Sequence, residues 1–144
     1  MPARTDPPEG GHQARRPHEG QPVVEAGAPL GQGRAVAIMV HGRNAAPANI
    51  LDLARRFGRD DITWLAPAAA NRTWYPLSFL APIEDNEPGV SSGIAVLAAL
   101  VARVEAAGIP RSRVIVGGFS QGAGLALALA VHAARPRPRG VLAL

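Results

Sequence analysis

The sequence predicts an α/β domain, with a parallel sheet of about four strands and helices on both faces, behind a flexible leader over residues 1–33. Three observations lead there. Short apolar runs bounded by glycine or proline recur along residues 34–144, as in strands buried on both faces. Stretches with apolar residues at helical spacing separate them. The resulting alternation of strand and helix calls for parallel strands joined by right-handed crossovers.

Residues 1–33 are rich in Pro and Gly and mix both charge signs without periodicity, so they offer little apolar burial to offset ordering. His12 and His18 lie in this stretch with no Cys or carboxylate cluster beside them, and read as solvated side chains. From Arg34 the character changes. Ala35 to Val40 is a continuous apolar run between Gly33 and Gly42, the first predicted strand. Pro47 suits a first helical position, Ile50, Leu53 and Phe57 recur at helical spacing, and Gly58 closes that helix. Asp52 and Arg56 are spaced to pair on its outer face.

Ile62 to Ala66 reads as the second strand, followed by a long irregular connection to Pro88, of the kind that in a small domain serves function. Ser91 or Ser92 can cap a helix whose Ile94, Leu97, Val101 and Val104 form one apolar stripe, ended by Gly108 and Pro110. Arg113 to Gly117 is a third strand, residues 121–134 an almost wholly apolar helix, and Gly140 to Leu144 a fourth strand. Ending within an apolar strand, the chain reads as cut short and prone to aggregate.

Composition removes several function classes. There is no Cys, which excludes disulfide scaffolds and thiolate metal sites. There is no Lys either, so a Walker-type phosphate loop, Schiff-base chemistry and a Ser-Lys pair are all out. The net charge of +4 comes from Arg spread in small groups, with three Phe, two Trp and one Tyr too few for base stacking. No nucleic-acid partner is expected. The run Ala123 to Ala134 is too short to span a bilayer, and no apolar signal stretch follows Arg15-Arg16, so no stable membrane insertion and a cytoplasmic location are expected.

The chemistry-bearing motif is Gly118-Phe119-Ser120-Gln121-Gly122, at the turn from third strand to third helix. A nucleophile on so tight a turn needs strained backbone angles and glycine two positions to either side, where a side chain would strike the neighbouring strand or helix. At this Gly and Ser content the pattern arises by chance about 0.06 times per chain, before its strand-turn-helix context is required. Ser120 is therefore the candidate catalytic nucleophile. His41-Gly42-Arg43-Asn44 follows the first strand, where the oxyanion loop of such a hydrolase lies, so backbone amides of Arg43 and Gln121 are the candidate oxyanion donors. His41 reads as shaping that turn rather than as a general base, and His132, within an apolar helix, as a core residue.

With these motifs the stretch from His41 to Leu144 resembles the phospholipase/carboxylesterase family of α/β-hydrolases, which includes acyl-protein thioesterases. The matching pieces are His41-Gly42-Arg43, Asn71 to Pro76, Asn86 to Gly89 and Gly118 to Gly122. The resemblance implies a partial α/β-hydrolase fold, an ester or thioester substrate and no metal or organic cofactor. It implies Ser120 as nucleophile, Arg43 and Gln121 as oxyanion donors, Gly42, Gly118 and Gly122 as motif glycines, and Trp74 as lining the acyl pocket. Many relatives carry a second Gly where Asn44 stands here, and Asn tolerates a positive φ.

One departure is larger. In this fold the triad acid and base follow the serine. After Ser120 the chain has no Asp and no Glu, and its only His is His132. By resemblance both partners would lie beyond Leu144, which predicts weak or no turnover for this chain. Glu84, Asp85 and Glu87 in the long connection read as solvated lid charges rather than a relocated acid. Two other readings stay open: a non-catalytic hydrolase remnant that binds an acyl ligand or partner, and a nucleotide-binding doubly wound domain. The latter lacks its glycine-rich turn after the first strand.

Overall fold

The computed structural model describes residues 16–132 and 140–143. Five strands form one sheet: β1 (Val23–Gly27), β2 (Ala35–Val40), β3 (Ile62–Pro67), β4 (Val114–Gly118) and β5 (Gly140–Ala143). Three helices accompany them, α1 (Pro47–Arg55), α2 (Gly89–Ala106) and α3 (Gln121–His132). The strand order is β1-β3-β2-β4-β5, parallel except for β1, which runs antiparallel to β3 with Val23 opposite Pro67 and Gly27 opposite Thr63.

Alternation along the strands explains the layers. Val36, Ile38 and Val40 of β2 join Leu65, Val114 and Val116 in a core covered by α2 and α3. Ala37 and Met39 point the other way, with Trp64 and Ala66, onto Ile50, Leu51 and Ala54 of α1. A strand with both faces covered must be apolar throughout, which is why β2 reads as a continuous run. Helix α1 begins at Pro47, as expected, and Asn49 Oδ1 accepts the Ala46 amide at 2.8 Å. Its buried stripe is Pro47, Ile50, Leu51 and Ala54, while Phe57 lies past its end, stacked on Trp64 at 6.0 Å between centroids. Asp52 pairs with Arg55 at 2.8 Å, one residue short of the expected Arg56.

Helix α2 starts at Gly89 with no side-chain cap, because Ser91 and Ser92 fall inside it. Ser91 donates its hydroxyl to Glu87 at 2.7 Å, and Ser92 is buried. By length and composition this helix is apolar enough to cross a membrane; here Leu97, Leu100, Val101 and Val104 pack it onto the sheet.

The leader expected over residues 1–33 does not extend that far. Residues 16–33 join the domain: β1 pairs with β3, the Ala28 amide donates to Ile62 O at 3.0 Å, and Thr63 Oγ1 donates to Ala28 O at 2.7 Å. His18, expected in solvent, is 2% exposed. An edge strand needs only backbone pairing and one sheltered side, so its sequence carries little apolar periodicity. Residues 1–15 with His12, residues 133–139 and Leu144 lie outside the described residues.

Candidate functional site

The connection leaving β2 runs to β3 on one side and the connection leaving β4 runs to β5 on the other, so the chain diverges between the neighbouring strands β2 and β4. Such a switch point leaves a crevice at the carboxyl ends of the two strands. In the register of β2 and β4, Val40 lies opposite Gly118, which brings out the His41-Gly42-Arg43 turn and the Phe119-Ser120 turn side by side. The Phe119 amide donates to Val40 O at 3.1 Å and closes the pair.

Ser120 stands at φ 54°, in the left-handed region that non-glycine residues enter only under constraint, and it is exposed. The constraint comes from its neighbours. A Cβ on Gly118 would fall on the carbonyl of Gly122, and one on Gly122 would fall on the carbonyl of Val40. Gly42 is a third close approach, its Cβ position 3.2 Å from Phe119 O and 3.6 Å from the Ser120 Cβ. Strand and helix can meet at this angle only without side chains at these places. Asn44 takes the expected positive φ, 62°, and its amide donates to Arg72 O at 2.8 Å.

The backbone amides of Arg43 and Gln121 have no hydrogen-bond partner among the described residues. The side chains of the same two residues are fully engaged. The Arg43 guanidinium donates to Pro76 O at 2.9 Å and Leu77 O at 2.8 Å, tying the oxyanion loop to the long connection. Gln121, 6% exposed, accepts the Trp74 amide on Oε1 at 2.7 Å and donates Nε2 to Tyr75 O at 2.7 Å. Tyr75 returns a hydroxyl bond to Gln121 O at 3.0 Å, and burial pushes its phenol pKa up.

Trp74, expected to line the acyl pocket, has 0% exposure. Its indole N–H donates to His41 O at 3.0 Å, and its ring packs against those of His18 at 4.8 Å and His41 at 5.3 Å between centroids. A ring so completely buried supports the turns behind Ser120. The open apolar surface lies further along the connection. A cavity of about 250 Å³ is bounded by Tyr75, Phe79, Ile83, Val90, Leu127 and Val131. A second, of about 440 Å³, opens on the α1 side beside His41, Arg43 and Phe119.

Neither buried histidine has a free nitrogen to act as a base. His41 donates Nδ1–H to Gly42 O at 2.7 Å and accepts the Ala69 amide on Nε2 at 3.1 Å. His18 donates Nε2–H to Trp74 O at 2.7 Å and accepts the Ala70 amide on Nδ1 at 3.0 Å. Burial lowers both imidazole pKa values, against partial support from the backbone carbonyls. Of the lid charges, Glu87 is spent on Ser91. Asn86, 2% exposed, accepts the Leu77 amide at 2.7 Å and donates to Ser78 O at 2.9 Å, stapling the connection. The parts of this network that sequence reasoning missed are His18 and Tyr75. A histidine amid Pro and Gly carries no periodic signal, and the segment that pairs at 74–75 lies 46 residues or more from Gln121.

The sequence profile of phospholipases/carboxylesterases matches residues 23–144. The chain belongs to this family. Among solved structures it is similar to a phospholipase/carboxylesterase from Dyadobacter fermentans, with 33% identity and a TM-score of 0.76 over 85% of this chain and 62% of that one. It also matches the fold of acyl-protein thioesterase 2 from Zea mays, with 24% identity and a TM-score of 0.59 over 82% of this chain and 54% of that one. The chain thus spans less than two thirds of the length of either relative. No curated protein matches it. The family's α/β-hydrolase fold accounts for the mixed sheet with helices on both faces.

Proposed function

We propose that Ser120 is the nucleophile of a serine hydrolase that cleaves carboxylic esters or thioesters through an acyl-enzyme. The observation that carries this reading is Ser120 itself, exposed at φ 54° between two glycines whose Cβ positions are filled by backbone. Membership of the phospholipase/carboxylesterase family supports ester chemistry, and the maize thioesterase supports a thioester alternative. In the reaction, Ser120 Oγ attacks the carbonyl carbon and gives up its proton to a general base, which the chemistry requires beside the serine. The oxygen, now negative, accepts from the Arg43 amide after β2 and from the Gln121 amide at the start of α3, where the helix end adds positive potential. Collapse expels the alcohol or thiol, which takes the proton back from that base, and water, deprotonated by the same base, then splits the acyl-enzyme and restores the serine hydroxyl. The cavity beside Phe79 and Leu127 suits the acyl portion, since its walls are almost wholly apolar.

The proton acceptor is not supplied by His18 or His41, whose ring nitrogens are committed. After Ser120 the chain has no Asp or Glu, so little turnover is expected from this chain alone. A fluorophosphonate probe tests the reading, because it reports an activated serine without choosing a substrate. Labelling mapped to Ser120 and lost in Ser120→Ala supports it. Complete absence of labelling, with tight binding of a fatty acid in the α3-side cavity, favours a non-catalytic acyl-binding protein. Robust hydrolysis of a short p-nitrophenyl ester, abolished by Ser120→Ala, would overturn the expectation of weak turnover.

A further inference from the structure

We propose that His18 and His41 are positioning residues of the Ser120 elbow, two neutral imidazoles that together form a proton-sensitive clamp on the connection after β3. The geometry is specific. Consecutive amides, Ala69 and Ala70, each donate to one imidazole, Nε2 of His41 and Nδ1 of His18. The opposite nitrogen of each ring donates to a carbonyl, Gly42 O and Trp74 O, so the two histidines hold opposite tautomers. Trp74 packs against both rings, and its own amide donates to the Gln121 side chain, one residue from Ser120.

An imidazole that accepts an amide hydrogen cannot keep that bond once it gains a proton, because two donors then face each other. Protonation of His18 opposes Ala70 N–H, and protonation of His41 opposes Ala69 N–H. Either event frees the segment that fixes Trp74, Tyr75 and through them Gln121. His18 also joins elements, since its backbone amide donates to Ser92 Oγ of α2 at 3.0 Å.

The charged surroundings are mixed. Arg16, Glu19 and Arg103 border the same cleft as His18, and Glu87 lies across a second one. Arg72 and Arg43 lie near His41, with Asp52 and Arg56 across the cavity on its α1 side. Of these acids Glu19 pairs with Arg16, Glu87 with Ser91 and Asp52 with Arg55, and among the described residues no carboxylate is hydrogen-bonded to either ring to favour its charged form. Burial lowers the pKa of both rings, helped at His18 by the nearby His41 and at His41 by Arg72, against the raising effect of the carbonyls they bond.

The test is nitrogen-15 NMR of the full chain, titrated from about pH 8 to about pH 5, the range in which imidazoles gain their proton. The expected spectra show neutral His18 with hydrogen on Nε2 and neutral His41 with hydrogen on Nδ1. On acidification, the Ala69, Ala70 and Gln121 side-chain amide signals should shift together with the imidazoles. In His18→Gln, which keeps a donor but cannot titrate, the His18 share of that transition should vanish. Should that variant not fold, the tautomers of the unaltered chain still decide. Swapped or charged imidazoles near neutral pH, or amide signals that ignore the imidazole titration, would overturn the proposal.

The consequence for acyl transfer rests on the reading of Ser120 above. The rate of fluorophosphonate labelling should fall with the same transition. Absence of labelling at every pH sinks the nucleophile and leaves the clamp standing, whereas constant labelling through the transition separates the clamp from the elbow and overturns its positioning role.

Discussion

Two halves of one connection behave as different materials. Residues 69–76 are tied by His18, His41 and Gln121, with Trp74 and Tyr75 buried. Residues 77–83 leave Phe79 63%, Leu80 83% and Ile83 50% exposed, with Asn86 and Arg43 holding the backbone. The first half is part of the core and sets the turns that carry Ser120. The second is apolar surface held up by backbone bonds, free to change its side chains without disturbing the elbow. Rigid support and adaptable contact surface are thus placed in sequence along a single loop.

The largest expected effect that tests this contrast is Trp74→Ala, which empties an enclosed site and should cost about 3–5 kcal/mol in denaturant unfolding. Gln121→Ala comes next: it strands the Trp74 amide and the Tyr75 carbonyl and should cost about 2–3 kcal/mol by the same measurement. Acidification follows. Folding lowers the pKa of His18 and His41, so the unfolded chain takes up protons first. Their contribution is complete above the ordinary imidazole value of about 6.5 and is lost as the pH falls below it. Thermal unfolding across that range should show the melting temperature dropping, with a shallower drop in His18→Gln. Smallest of all, Phe79→Ala should change stability by no more than about 0.5 kcal/mol. A Phe79 penalty matching that of Trp74 would erase the distinction between the halves.

Much of this protein was legible in its residues. The apolar runs of β2, β3 and β4 announce strands covered on both faces, and Pro47 marks the first residue of α1. The glycines at 118 and 122 announce a turn with no room for side chains, and their surroundings give the reason in backbone carbonyls. Less legible was β1, whose pairing with β3 depends on main-chain groups that every residue has. Trp74 was placed in the right neighbourhood, and its complete burial was not written in the sequence. A tryptophan near a loop motif can face solvent or the core, and its burial here follows from packing against His18 and His41, partners that only the folded chain brings to it.

The sequence by itself determined the alternation of strand and helix, the exposed serine turn and the shape of its neighbouring loop. These follow from local sterics and from the periodicity of apolar side chains, both of which are written in adjacent residues. Tertiary structure alone decided which face Trp74 turns, why Gln121 carries a long side chain, and that His18 is buried beside residues more than fifty positions away. Those outcomes depend on hydrogen bonds between groups brought together by folding, and the chain's local pattern holds no record of such partners.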